Sequence, residues 1–315
     1  MNILFITSSR IGDAVLSTGL LAYIEDHYPD AAVTIACGPL AVSLFEGYPL
    51  LDRIIAIKKE RYNGHWIKLW RAVVGTRWDM VIDLRNSAVS RLVWARRRYI
   101  FGPHINKNFH KAVQNAAVMG LGDFPAPTLW FTDAQAAKAA AVIPDGAPVL
   151  GIGPTANWIG KTWPADRFVE IMHYILAESM PDARVAVFGA PGEEADALKV
   201  LNAVPEGRGV DCIAKGTPGE AAAMIARCDF YIGNDSGLMH CAAASGVKTL
   251  GLFGPSYDHI YAPYGQDFIR TPESFDALID FDGYDAKTLD HSLMTSLSVA
   301  AVKAKLDKVF NAKRS

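Results

Sequence analysis

Three short polar turns hold the residues best suited to chemistry. Gly233-Asn234-Asp235-Ser236-Gly237-Leu238-Met239-His240 follows the apolar run Phe230-Tyr231-Ile232 and precedes an alanine-rich stretch from Cys241 to Gly246. This reads as strand, polar turn, helix. A helix start offers unpaired backbone N–H groups and partial positive charge, which suit phosphate. Asp235 could cap that helix or hold a ribose hydroxyl. A second turn, Gly153 to Pro164, brings Thr155, Asn157 and Lys161 ahead of a proline suited to a helix start. Its glycines lie two residues too far apart for a Walker loop, yet Lys161 is placed to hold phosphate charge. The third, Thr7-Ser8-Ser9-Arg10-Ile11-Gly12-Asp13, follows the first apolar run and lacks the dinucleotide fingerprint GxGxxG. Asp13 is either a helix-start residue or a working carboxylate.

The elements that must position these turns are short apolar runs alternating with helical segments. In the first half the runs are Ile3–Ile6, Val33–Ala36, Ile54–Ile57, Met80–Leu84 and Tyr99–Phe101, with helices over Ala14–His27 and His65–Val74. Prolines 125, 127, 144 and 148 then flank an alanine-rich helix, which marks a linker. The alternation restarts with Val149–Ile152, Arg184–Phe188, Asp229–Ile232 and Thr249–Phe253. Strands separated by helices imply parallel sheets with right-handed crossovers. The expected fold is α/β, with two Rossmann-like doubly wound domains facing a central cleft. Residues 1–145 form the first domain, 146–296 the second, and 297–315 a C-terminal helix expected to pack back on the first. Ligands in such sheets bind beyond the carboxyl ends of the strands, where all three turns fall.

Composition narrows the function. Half of the 315 residues are hydrophobic and net charge is −2, so the chain is globular and wholesale nucleic-acid binding is not indicated. Between Lys58 and Lys111, however, thirteen Lys and Arg face three Asp and Glu. This excess reads either as solvated helix faces or as a surface for an anionic partner or membrane. The four cysteines are scattered in apolar settings without a CxxC pair, which suits core residues in a reducing compartment. His104, His110 and His259 have no metal-ligand spacing. Asp280-Phe281-Asp282 matches DxD but lacks a strand-to-helix setting and reads as a surface loop. The N-terminus runs into a strand pattern instead of a signal peptide, and no apolar run could span a bilayer. A cytoplasmic protein is expected, with a peripheral place at the inner membrane allowed.

Arg10-Ile11-Gly12-Asp13, Lys161-Thr162-Trp163-Pro164, and Asp235-Ser236-Gly237-Leu238-Met239-His240 with Gly254-Pro255-Ser256 occur in that order. Together they resemble the signatures of glycosyltransferase family 9, which contains the ADP-heptose:lipopolysaccharide heptosyltransferases. The resemblance implies a GT-B fold and an inverting, metal-independent transfer with no cofactor. The second domain would hold the nucleotide sugar, ADP-linked in the family pattern, and the first an anionic glycolipid acceptor. Asp13 would be the catalytic base. Thr155, Lys161, Glu193, Asp235, Ser236, Gly237 and His240 would contact the donor, with Glu194 the alternative to Glu193 at the ribose. Arg10, Arg61 and Arg97 are the expected acceptor contacts, and the basic segment gains weight as an acceptor- and membrane-facing surface. A GT-B-shaped epimerase and a non-catalytic nucleotide-sugar-binding module are the other readings. The Lys-x-Trp-Pro and Asp-Ser-Gly turns argue against the first, and Asp13 against the second.

Overall fold

The computed structural model describes residues 1–280, 284–286 and 288–311. Of the DxD triplet, Phe281 and Asp282 lie outside the described residues. Contacts divide the chain into two units, Met1–Ala136 with Thr217–Glu220, and Ala137–Gly216 with Ala221–Ser315. The main boundary thus falls nine residues before the expected one, inside the alanine-rich helix.

In the first unit, β1 (Asn2–Ile6), β2 (Ala32–Cys37), β3 (Leu51–Ala56), β4 (Trp78–Asp83) and β5 (Ala95–Ile100) form a sheet of order β3-β2-β1-β4-β5. All its pairings are parallel. Its helices are α1 (Ile11–Val15), α2 (Thr18–His27), α3 (Gly64–Val73), α4 (Val89–Leu92), α5 (Lys111–Val118) and the start of α6 (Asp133–Val142). Ile3, Leu4, Phe5 and Ile6 are fully buried, as expected of a central parallel strand covered on both faces. The single helix expected over Ala14–His27 is two. Ser17 Oγ donates to Ala14 O and Thr18 Oγ1 to Val15 O, so these hydroxyls compete with the backbone ladder at the break.

In the second unit, β6 (Val149–Gly153), β7 (Arg184–Gly189), β8 (Gly209–Ile213), β9 (Phe230–Asn234), β10 (Lys248–Phe253) and β11 (Asp267–Arg270) are ordered β11-β10-β9-β6-β7-β8, again all parallel. The main helices are α7 (Ala165–Glu178), α8 (Glu194–Asn202), α9 (Pro218–Ile225) and α10 (Gly237–Ala244), followed by the short α11 (Asp258–Tyr261) and α12 (Phe275–Ile279), then α13 (Val299–Asn311). The final helix does not pack where the sequence reading put it. Val302, Leu306 and Val309, at spacings of four and three, form one stripe inside the second unit's own core. Lys303 Nζ pairs with Glu170 of α7 at 2.7 Å, and Tyr174 donates to Asp307.

The Tyr231 ring lies fully buried across β6 and β9. A Cβ built on Gly153 would stand 1.9 Å from its Oη, and one on Gly233 3.0 Å away. Among the described residues that phenol oxygen has no hydrogen-bond partner, so the ring is there for packing. Gly153→Ala should therefore destabilise the protein by about 1–3 kcal/mol through overpacking. Tyr231→Phe alone should cost little, because no bond is lost, and in the double variant it should recover part of the loss. Urea melts of the three variants test this; a Gly153→Ala protein as stable as the parent would show that the ring has room to move. The four cysteines are free and buried, and burial pushes the Cys37, Cys212 and Cys241 thiols up to about 12.

Candidate active site

In a doubly wound sheet the strand order reverses at one point, and the turns on either side of it open a crevice. In the first unit that point lies between β1 and β4, which pair directly although far apart in sequence. The turn after β1 is held low against β2. Gly38 N donates to Ser8 O at 3.2 Å, and a Cβ on Gly38 would stand 2.4 Å from Ser9 Cα. Only glycine allows this approach. Thr7 Oγ1 meets Ser17 Oγ at 2.8 Å and ties the turn to the α1–α2 break.

The turn after β4 is organised by Asp83, whose side chain is fully buried. Its carboxylate accepts from Arg85 N (2.8 Å), Ser87 N (2.8 Å) and Ser87 Oγ (2.7 Å). Asn86 adopts the left-handed conformation at φ 52°, which asparagine tolerates better than most residues. The result is a fixed loop that offers Leu84 and Arg85 to the crevice.

Between these turns lies a cavity of about 300 Å³ lined by Thr7, Ser8, Ser9, Arg10, Asp13, Leu84, Arg85, Lys111 and Asn115. Asp13 is half-buried and is not the helix cap: Arg10 occupies that position, with no capping side chain. Lys111 stands at the start of α5 with its ammonium 4.6 Å from the centre of the Phe101 ring. Burial lowers its pKa from the usual lysine value, with Lys107 acting the same way, while the Asp13 carboxylate opposes both. Asn115 is tied by Nδ2 to Leu16 O at 2.9 Å, and its Oδ1 has no hydrogen-bond partner among the described residues. The cavity therefore holds one carboxylate among three cations. Arg10 belongs to it; Arg61, which stacks on its neighbour Tyr62, and Arg97, on the edge strand β5, do not line it. Asn115 was not legible as a site residue from sequence, since nothing local marks it.

In the second unit the reversal lies between β6 and β9, where Gly153 faces Gly233 in register. The two turns there carry the Lys161 and Asp235 motifs, and Asn234 joins them. Its Oδ1 accepts from Trp163 N at 3.0 Å and its Nδ2 donates to Pro154 O at 2.8 Å. A backbone N–H can only donate and a carbonyl only accept, so these partners fix the amide's orientation. Trp163 is fully buried and donates Nε1 to Leu297 O at 2.8 Å. The loop that presents Lys161 is thus pinned at both ends.

Lys161 Nζ lies 2.5 Å from Asp235 Oδ2, and His240 Nε2 lies 4.0 Å from Asp235 Oδ1. Asp235 and His240 are buried. The cap of α10 is Ser236, whose Oγ accepts from Met239 N at 3.5 Å. Of the two roles left open for Asp235, capping is therefore taken by its neighbour. Gly237 opens the helix beside it. Thr155 is buried at the end of β6, with its hydroxyl beside Gly189. Glu194 bends back onto its own turn. Its two carboxylate oxygens accept from Gly192 N at 3.0 Å, and these backbone bonds hold it below the ordinary carboxylate value. Glu193 sits at the start of α8, and its charge adds to the burial that raises the Tyr231 phenol. Among the described residues no group of three or more His, Cys, Asp or Glu is placed to hold a metal ion. No helix among them is long and apolar enough to cross a membrane.

The family model for glycosyltransferase family 9 (heptosyltransferase) matches residues 94–281. The lipooligosaccharide heptosyltransferase 2 of Haemophilus influenzae is 27% identical over 304 residues, covering 81% of this chain and 84% of that protein. The solved E. coli ADP-heptose lps heptosyltransferase II superposes over 100% of both chains with a TM-score of 0.76 at 18% identity. The family 9 glycosyltransferase of Veillonella parvula does so over 99% of this chain and 97% of its own, with a TM-score of 0.77 at 21% identity. These likenesses show the GT-B arrangement of two parallel-sheet α/β domains. The family model spans more than half of the sequence and includes both turns of the second unit's crevice; the chain belongs to glycosyltransferase family 9.

Proposed function

We propose that the protein transfers heptose from ADP-heptose to an anionic, lipid-linked core saccharide of lipopolysaccharide, with inversion at the anomeric carbon. The observation that carries this reading is Asp13, a half-buried carboxylate that caps nothing and lines a cavity with Arg10, Arg85 and Lys111. Three cations suit an acceptor bearing phosphate or carboxylate groups. The carboxylate among them suits removal of a proton from the acceptor hydroxyl as its oxygen attacks the anomeric carbon. The names of the relatives supply the sugar, the nucleotide and the acceptor class.

The second unit is the donor-binding one in this reading, and the first takes the acceptor. The bond that breaks joins the anomeric carbon to the diphosphate, so negative charge grows on the leaving phosphate. Lys161 and the N–H groups opening α10 answer that charge, which gives the reaction its electrostatic stabilisation without assigning any step to a metal. Glu193 is the ribose contact in this reading, because the Glu194 carboxylate is held back against Gly192 of its own turn. Thr155, Ser236 and His240 complete the donor set. The protein works at the inner membrane's cytoplasmic face, where such an acceptor presents its saccharide.

A thermal-shift series with nucleoside diphosphates tests the donor. A ligand at a hundred times its Kd stabilises the folded state by about 2.7 kcal/mol, so ADP should raise the melting temperature clearly and UDP and GDP should not. A response to UDP or GDP alone would remove ADP-heptose as the donor.

A further inference from the structure

Of the basic segment's cations, Arg85 and Lys111 line the acceptor cavity. Many of its remaining cations surround a second feature, an exposed apolar patch on the first unit. Along α3 and its C-terminal cap Val74, Leu69 and Val73 are buried while Ile67, Arg71 and Val74 face outward at spacings of four and three. Leu92, at the end of α4, is 64% exposed, Trp94 58% and Ile67 55%. Exposed apolar side chains of this size, grouped on one face, are a mark of an interaction surface.

The side chains belong to one surface. Trp70 Nε1 donates to Leu92 O at 3.2 Å, which joins α3 to α4. The Arg77 guanidinium lies 5.7 Å from the centre of the Trp94 ring. Trp94 leads directly into β5, an edge strand whose Arg96 and Arg97 are exposed. Between residues 64 and 100 the sequence has only two carboxylates, Asp79 and Asp83. Asp83 is fully buried under its own loop and Asp79 accepts from Asn2 N at 2.8 Å.

We infer that this face, built from Ile67, Val74, Leu92 and Trp94 and rimmed by Arg71, Arg77 and Arg96, docks on the anionic surface of a lipid bilayer. The inference rests on the lipid-linked acceptor proposed above. Charge complementarity selects the occupant: arginines meet lipid phosphates while aliphatic side chains and an indole enter the headgroup region. A nucleic acid would match the arginines but leaves Ile67, Val74 and Leu92 without a role.

Flotation of the full-length protein with vesicles tests this. The parent should float with phosphatidylglycerol–phosphatidylcholine vesicles, less so at high salt, and little with phosphatidylcholine alone. Leu92→Ser/Trp94→Ser should reduce binding at least tenfold. Arg71→Gln/Arg96→Gln should reduce it roughly 30-fold, at about 1 kcal/mol per arginine. Both double variants should keep the ADP-induced thermal shift and transfer to a water-soluble, deacylated acceptor. Failure of the parent to float, variants that float like the parent, or a face that binds duplex RNA in place of vesicles would each overturn the docking proposal. Loss of transfer by the parent itself on the soluble acceptor would instead strike at the proposed function.

Discussion

Asp13→Asn should lower the transfer rate by about 10²–10⁴-fold, the usual contribution of a positioned general base, while leaving ADP binding intact. The amide keeps the side chain's size and place in the cavity but cannot take the acceptor's proton. Every residue proposed to hold the donor lies beyond position 150, so the ADP-induced thermal shift should match that of the parent. The variant should fold, because Asp13 supplies no helix cap. It does remove the charge that offsets the burial of Lys111, so the Lys111 ammonium should titrate lower still. Single-turnover rates at saturating donor and acceptor separate the chemical step from binding. Transfer within a fewfold of the parent would remove Asp13 from the role of base.

The second large effect concerns Lys161. Lys161→Met should slow transfer by about 10²–10³-fold, as loss of a preorganised charge partner does elsewhere, and should weaken ADP binding. It should also destabilise the fold, because the Asp235 carboxylate would stay buried without its ammonium. Breaking a fully buried pair costs about 3–5 kcal/mol. Here the lysine side chain keeps 24% of its surface in contact with solvent and the aspartate 7%, so about 2 kcal/mol is expected after allowing for screening. The companion variant separates the two effects. Lys161→Met/Asp235→Asn carries no stranded charge and should regain most of the lost stability, yet it should remain slow. Transfer restored along with stability would mean that the lysine only supports the fold. The pair also sets a condition on donor binding, since a diphosphate must compete with Asp235 for the same ammonium.

Much of this arrangement could be read from sequence because central parallel strands are continuous apolar runs. Ile3–Ile6 and Phe230–Ile232 stand out for that reason. The strands that escaped notice, β8 and β11, lie at the two edges of their sheet. An edge strand has only one neighbour and tolerates polar residues, and Asp211 and Asp267 dilute these two beyond recognition. The three motif turns were legible as turns after strands. Their internal wiring was not. That Asn234 joins the two turns of the second crevice depends on β6 and β9 being neighbours, which the sheet order decides. Asn115 reaches Leu16 across 99 residues of chain. Glu193 and Glu194 are adjacent and of one type, and only the hydrogen bonds to Gly192 tell them apart.

The ring of Tyr231 carries a lesson about sequence divergence. Glycines at the ends of strands beside a nucleotide turn invite the reading that a phosphate lies against the backbone. Here Gly153 is small because a phenol already fills the space over it, and Gly233 because the same phenol and the Gly153 carbonyl both crowd it. The three positions are therefore free to drift only as a set, and the order of change matters. A relative that carried a side chain at position 153 would first have had to trade the tyrosine for something smaller. Within the family, then, glycine at position 153 should track the size of the residue at 231 rather than the identity of the bound nucleotide.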